Sequence, residues 1–246
     1  YDRLMSSQNL NLYLTTEHEC GYLPGHLATN LVPDPCVPMN MELYSQLIEL
    51  GYRRSGGHTY RPHCKNCKEC IPCRIAVNRF RPNRSQRRCL LTNDSCSTHR
   101  VPADYRDEHF QLYRRYINAR HARGNMANPL PRDYKNFLYS DWSDTFFLEF
   151  RENGQLLAVA ACDQIKSGLS AVYSYFNPDM ISRGLGTYCV LKMIEQADRL
   201  GLDYLYLGYL IHDSSKMTYK QKFRPLEVYI DNQWQDYLGN NSDDSL

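Results

Sequence analysis

No run of eighteen apolar residues interrupts this 246-residue sequence, so nothing in it should cross a membrane as a helix. No basic-then-apolar leader opens it, and the expected location is the cytoplasm. The chain starts at Tyr1 rather than Met, which points to a trimmed N-terminus. GxSxG is missing, so no nucleophile elbow is announced. No internal repeat is present. Acid is scarce over one stretch. From Arg53 to Arg100, twelve Lys and Arg face only Glu69 and Asp94. The chain as a whole carries only +2, so this stretch reads as a polyanion-binding face or as a solvated basic surface. With 42% hydrophobic and 23% charged residues, the chain should be globular.

Cysteine, by contrast, is plentiful. There are ten, and without a leader they should be free thiols or metal ligands rather than disulfides. Within RPHCKNCKECIPCRI, Cys64, Cys67, Cys70 and Cys73 recur every third residue. The bacterial ferredoxin run has three residues before its fourth Cys and a Pro after it. Here Pro72 lies inside the last interval. Four-thiolate zinc sites usually join two separated CxxC knuckles. The run alone leaves packed thiols, zinc and an iron–sulfur cluster open. Cys36, Cys89, Cys96, Cys162 and Cys189 read as plain thiols.

The pattern predicts an α+β chain. Asn9–Thr16 alternates like a strand. Met41–Tyr52 has leucines at helical spacing, with Asn40 as N-cap and Gly51 as stop. Short strands fit around Ile75–Val77 and Arg88–Thr92. Tyr105–Ala122 and Arg132–Tyr139 read as helices, the second opened by Pro131. A hairpin turns at Asn153-Gly154. A strand over SAVYSYFNP, a glycine-led helix, strand DYLYLGYL, a short helix and strand LEVYIDN complete the order. That order resembles the GNAT acyltransferase fold, in which an antiparallel run gives way to a splayed parallel pair. Arg183, Gly184 and Gly186 would then lie where that fold cradles phosphates. The expected division is a cysteine-containing basic N-terminal domain over 1–100, a GNAT-like domain over 101–237 and an acidic tail over 238–246.

Several long motifs occur together. They are ECGYLPG (Glu19–Gly25), GYRRSG (Gly51–Gly56), YRPHCKNCKECIPCRI (Tyr60–Ile75) and FRPNRSQRR (Phe80–Arg88), followed by YINARH (Tyr116–His121), LSAVYSYFNP (Leu169–Pro178), LGTY (Leu185–Tyr188) and YLGYLIHDSSKMTYKQKFRPLE (Tyr206–Glu227). In this order they resemble the aminoacyl-tRNA–protein transferases, in particular the bacterial aspartate/glutamate leucyltransferase branch, from about Thr15 to about Tyr237. The resemblance implies transfer of leucine from leucyl-tRNA to the α-amine of proteins beginning with Asp or Glu, which marks them for degradation. Arginyl-tRNA as donor, an ordinary acyl-CoA transferase, and a non-catalytic RNA-binding protein with a metal-bound cysteine module are the alternatives.

An aminoacyl ester is already activated, so the reaction needs alignment, a proton acceptor and oxyanion stabilisation, and no resident cofactor. His121, Tyr209 and Lys216 are the candidate catalytic groups. Arg54, Arg61 and Arg74 are the candidates for holding the acceptor's carboxylate, which suits a guanidinium fork; Arg53 lies in the same motif. Arg79, Arg81, Arg84, Arg87 and Arg88 are expected to meet tRNA phosphates. Tyr206, Tyr219 and Lys220 are expected at its aminoacylated end, with Arg183, Gly184 and Gly186. Eukaryotic relatives join an N-terminal CxxC to part of the later cysteine run to hold a metal or iron–sulfur cluster. Here Leu23 stands where the second cysteine of that CxxC would be. A zinc or iron–sulfur centre would draw on Cys20 with Cys64, Cys67, Cys70 and Cys73.

Overall fold

The computed structural model describes residues 10–120, 127–214 and 217–239. Short strands β1 (Leu12–Leu14), β2 (His18–Glu19), β3 (Leu27–Ala28) and β4 (Asn30–Pro33) lead into helix α1 (Met41–Glu49). The Asn40 side chain caps α1 by accepting the Leu43 N–H. Strands β5 (Arg53–Ser55) and β6 (His58–Pro62) follow and pair with β4 and β1 in a four-stranded sheet, ordered β1-β4-β6-β5.

Next come β7 (Ile71–Ala76), α2 (Arg84–Thr92) and β8 (Ser97–Pro102). The strand expected at Arg88–Thr92 is the second half of α2. Asn83 and Gln86 form a reciprocal capping box that starts the helix, and this local signal outweighs the apolar pair Leu90-Leu91. Helices α3 (Asp107–Arg120) and α4 (Pro131–Leu138) fall where expected. So do β9 (Asp144–Glu152), β10 (Gln155–Ile165), β11 (Gly168–Phe176), α5 (Leu185–Arg199), β12 (Tyr204–Leu210) and β13 (Leu226–Ile230). The β9–β10 turn has positive φ at both Asn153 and Gly154 (48° and 81°), as a two-residue hairpin requires. An unexpected strand, β14 (Gln233–Asp236), pairs back on β13 through Asp231 and Asn232, also at positive φ.

Eight strands form the main sheet, ordered β14-β13-β7-β12-β11-β10-β9-β8. It contains β7 and β8 from the first hundred residues, so one sheet runs across the boundary expected at residue 100. Alternation along β9 and β10 explains its two covered faces. Phe146, Leu148, Phe150, Ala158 and Ala160 pack towards α5. Phe147, Val159 and Ala161 pack towards α3 and α4. The N-terminal elements are fixed to this sheet by a fully buried fork. Arg54 donates from Nε and Nη2 to the two Asp163 carboxylate oxygens, both at 2.7 Å. Tyr44 and Thr145 donate to the same carboxylate. No helix among the described residues is long and apolar enough to cross a membrane.

Candidate active site

Strands β11 and β12 run parallel, but they pair only over Gly168–Ser170 and Tyr204–Tyr206. Beyond that point β12 bulges between Tyr206 and Gly208 and stays with β7. The two strands part into a wedge. Arg53, at the start of β5, fills it. Its Nη2 donates to the carbonyls of Ala171 (2.9 Å) and Val172 (3.3 Å), just beyond the paired stretch of β11 and β12. Gly208 makes room: its φ is +79°, and a Cβ there would lie 1.7 Å from Arg53 Nη1. No carboxylate pairs with Arg53 among the described residues. The sequence offers Arg53, with Arg54, Arg61 and Arg74, as a clamp for the acceptor carboxylate or tRNA phosphates; its place against Gly208 is a long-range pairing that no local pattern announces.

Lys220 lies beside this wedge. It is buried and donates from Nζ to the Tyr209 carbonyl, with Met217 Sδ at 3.4 Å. Burial first, then the Arg53 charge, lowers its ammonium to about 8, while the Cys73 and Cys70 thiols act the other way. Tyr219 is still 38% exposed, yet burial pushes its phenol up to about 12. The Tyr219 ring meets that of Phe223 edge-on. Tyr22 and Tyr60 stand near Arg53 from the cysteine side.

Several expected site residues are engaged elsewhere. Arg54 is consumed by Asp163 and is inaccessible. Arg74 pairs with Glu227 through Nε at 2.7 Å and is stacked by aromatic rings. Arg61 is accessible, with Nη1 on the Leu50 carbonyl and its guanidinium over Tyr52. The Tyr209 hydroxyl donates to the carbonyls of Gly51 and Tyr60, tying β12 to the turn after α1 and to β6. Tyr206 is buried against Ser167 and Arg74. His121 and Lys216 lie outside the described residues.

On the basic stretch, Arg79 pairs with Asp236 and Glu227. Arg84, Arg87 and Arg88 are exposed along one side of α2, and Arg81 is exposed just before it. None of these four pairs with a carboxylate among the described residues. Arg183 is held by Glu152, Asn93 and Cys96. Gly184 (φ +62°) opens α5, and Gly186 lies against Phe176. The Cys89 thiol reaches the Gly184 carbonyl and the Asn93 side chain the Arg183 carbonyl, so α2 packs on the expected phosphate loop.

All ten cysteines are free. Burial, and next the neighbouring Cys20, Cys64 and Cys67, push the Cys70 thiol up to about 12. Cys20, Cys67 and Cys70 pack against the cluster of Leu23, Tyr209 and Ile211. Cys20 Sγ accepts the Tyr22 and Leu23 N–H groups. Cys73 does not join them: on β7 it faces the main core, beside Lys220. Leu23 packs on Tyr209 and Ile211. No three His, Cys, Asp or Glu side chains among the described residues are placed to hold a metal ion. A cavity of about 400 Å³ lies around Arg74, Tyr204 and Trp234.

A family model described as Arginine-tRNA-protein transferase, N terminus, matches residues 18–88, and its C-terminus counterpart matches residues 108–230. The chain is 50% identical over 232 residues to the aspartate/glutamate leucyltransferase of Nitrosococcus oceani, covering 94% of this chain and 98% of that one. It is 47% identical over 225 residues to that of Pseudomonas entomophila, covering 92% and 96%. Among solved structures it is similar to FemX, with 11% identity and a TM-score of 0.47 over 77% of this chain and 65% of that one. Matched by the family in both halves, and along nearly its whole length by proteins of that branch, the chain belongs to the aminoacyl-tRNA–protein transferase family.

Proposed function

We propose that this enzyme transfers leucine from leucyl-tRNA to the α-amine of proteins beginning with Asp or Glu, in the cytoplasm, and so marks them for N-degron degradation. The observation that carries this reading is near-full-length likeness, at 50% identity, to a protein named aspartate/glutamate leucyltransferase. The antiparallel run, the short parallel pair and its wedge support a GNAT-like reading of the main sheet.

In this reaction the amine lone pair attacks the ester carbonyl carbon. A C–N bond forms, the C–O bond to the ribose breaks, and the amine proton ends on the ribose oxygen or in solvent. Arg53 and Lys220 are cations at the wedge without a carboxylate partner among the described residues, which suits the acceptor's acidic side chain. Tyr219 offers a ring to the terminal adenine. Arg81, Arg84, Arg87 and Arg88 suit tRNA phosphates. The covered α5 loop argues against an acyl-CoA donor.

A zinc ion or iron–sulfur cluster would have to draw on Cys20, Cys64, Cys67 and Cys70, and among the described residues no three of them are placed to hold a metal ion. The transfer chemistry needs none. Elemental analysis of anaerobically purified protein tests this, with Cys67→Ser losing any metal held there.

The functional test supplies charged tRNAs one amino acid at a time, with peptides beginning with Asp, Glu, Asn or Lys. One leucyl residue should be gained by the Asp and Glu peptides alone, and RNase should abolish the gain. Gain of arginine would reassign the donor. No transfer from any charged tRNA would overturn the reading.

A further inference from the structure

The cavity of about 400 Å³ lies between the end of α1, β7, the start of β12 and the β13–β14 hairpin. Glu49, Arg74, Tyr204, Tyr229, Asn232 and Trp234 are the lining residues that matter here. The Arg74 guanidinium lies against two aromatic rings. Its Cζ is 3.5 Å from the centre of the Tyr204 ring and 4.3 Å from that of Trp234. Nε is taken by Glu227 at 2.7 Å, and Nη1 reaches the Tyr206 hydroxyl at 3.3 Å. Nη2 has no hydrogen-bond partner among the described residues, although the side chain is only 10% exposed. Nη2 still reaches solvent on the cavity wall, so a ligand there would replace water as its acceptor.

The charge around the cavity narrows what that acceptor can be. Arg74 shares Glu227 with Arg79, which also pairs with Asp236. Two guanidiniums already balance two carboxylates. The exposed Glu49 carboxylate, which pairs with no cation among the described residues, tips the balance negative. A phosphate or carboxylate is therefore disfavoured. An organic cation would meet the Arg74 N–H groups. The fitting ligand is flat and neutral, accepts at one edge and donates at another. Guanine does this: O6 and N7 accept from an arginine edge, while N1–H and the N2 amino group donate to a carboxylate. Adenine presents a donor beside N7, where Arg74 needs an acceptor. The Tyr204, Tyr229 and Trp234 rings supply apolar surface for a base.

We infer that this cavity binds a guanine base, free or in single-stranded RNA, with Arg74 and Glu49 reading its two edges. The assignment goes beyond the transfer reaction and does not depend on it.

The test uses intrinsic fluorescence. The chain has two tryptophans, so a Trp142→Phe protein reports Trp234 alone. The four nucleoside 5′-monophosphates are titrated, so that the phosphate is common to all. GMP should quench Trp234 and bind about tenfold more tightly than AMP, within the range of one good bidentate base contact. Glu49→Ala, at an exposed helix end, should keep the melt and bring that ratio close to one. A short single-stranded RNA with one G, against the same RNA with A, then separates an RNA base from a free nucleotide. Stronger quenching by the G-containing RNA than by GMP assigns RNA; equal quenching assigns the free nucleotide. Equal binding of GMP and AMP, quenching by choline instead, or no quenching by any nucleotide would each overturn the inference. Leucyl transfer by Glu49→Ala is measured separately, so failure of base binding leaves the transfer reading standing.

Discussion

Arg53 and Arg54 are neighbours in β5, so their side chains leave opposite faces of the strand. One reaches the wedge between β11 and β12, the other a buried carboxylate. Their variants should fail differently. Arg54→Met leaves Asp163 buried without its partner and should cost about 3–5 kcal/mol of stability in a urea titration. Arg53→Ala should keep the fold but cut leucyl transfer to Asp and Glu peptides roughly a hundredfold, as a lost charged contact does. Gly208→Ala should reproduce that loss, because the new Cβ would occupy the Arg53 Nη1 position. Arg61→Ala should leave acceptor kinetics close to wild type. Lys220 adds a pH signature. Its proton comes off at about 8 in the fold but near the ordinary 10.5 in the unfolded chain. Between those values the unfolded state holds more protons, so stability attributable to Lys220 rises with pH. The melting difference between wild type and Lys220→Met should therefore shift in favour of wild type from pH 8 to 10.5. The motif containing both arginines was legible in the sequence. Which one meets Asp163 was not, because that carboxylate is more than a hundred residues away.

At the scale of elements, the helices and hairpins carried their own local signals, and most of them formed where those signals lay. Asn40, Pro131 and the Asn153-Gly154 turn are examples. The segment after Asn83 was misread because two adjacent leucines look strand-like, whereas its capping box commits it to helix. That helix turns the basic stretch into a surface. Arg84, Arg87 and Arg88 stand three and four residues apart and share one side of α2. Replacing these three and Arg81 with Gln should weaken tRNA binding and flatten its salt dependence by up to about four phosphate contacts, with the melt nearly unchanged. Arg79 belongs to a different experiment. Its loss should destabilise the β13–β14 hairpin through Asp236 and Glu227 and leave the salt slope alone.

At the scale of the whole molecule, composition suggested a basic half and a catalytic half, and the sheet joins them. Strand β7 lies between β12 and β13, pairing Arg74 with both Tyr206 and Glu227. Local periodicity identifies a strand but not its distant neighbours, so this joining could not be read in advance. A fragment starting at residue 101 lacks β7 and most of β8 and should show no cooperative melt. Residues 1–100 supplied separately should restore one only if the two pieces associate. The same insertion also orders events in time. Strand β7 leaves the ribosome well over a hundred residues before β12, and β13 comes later still. At translation rates of about 5–20 residues per second, it waits on the order of ten seconds with both edges unpaired. During that interval the nascent chain displays the cysteine run and an open strand to every chaperone and oxidant nearby. The last hairpin to be synthesised therefore ends the protein's most vulnerable period.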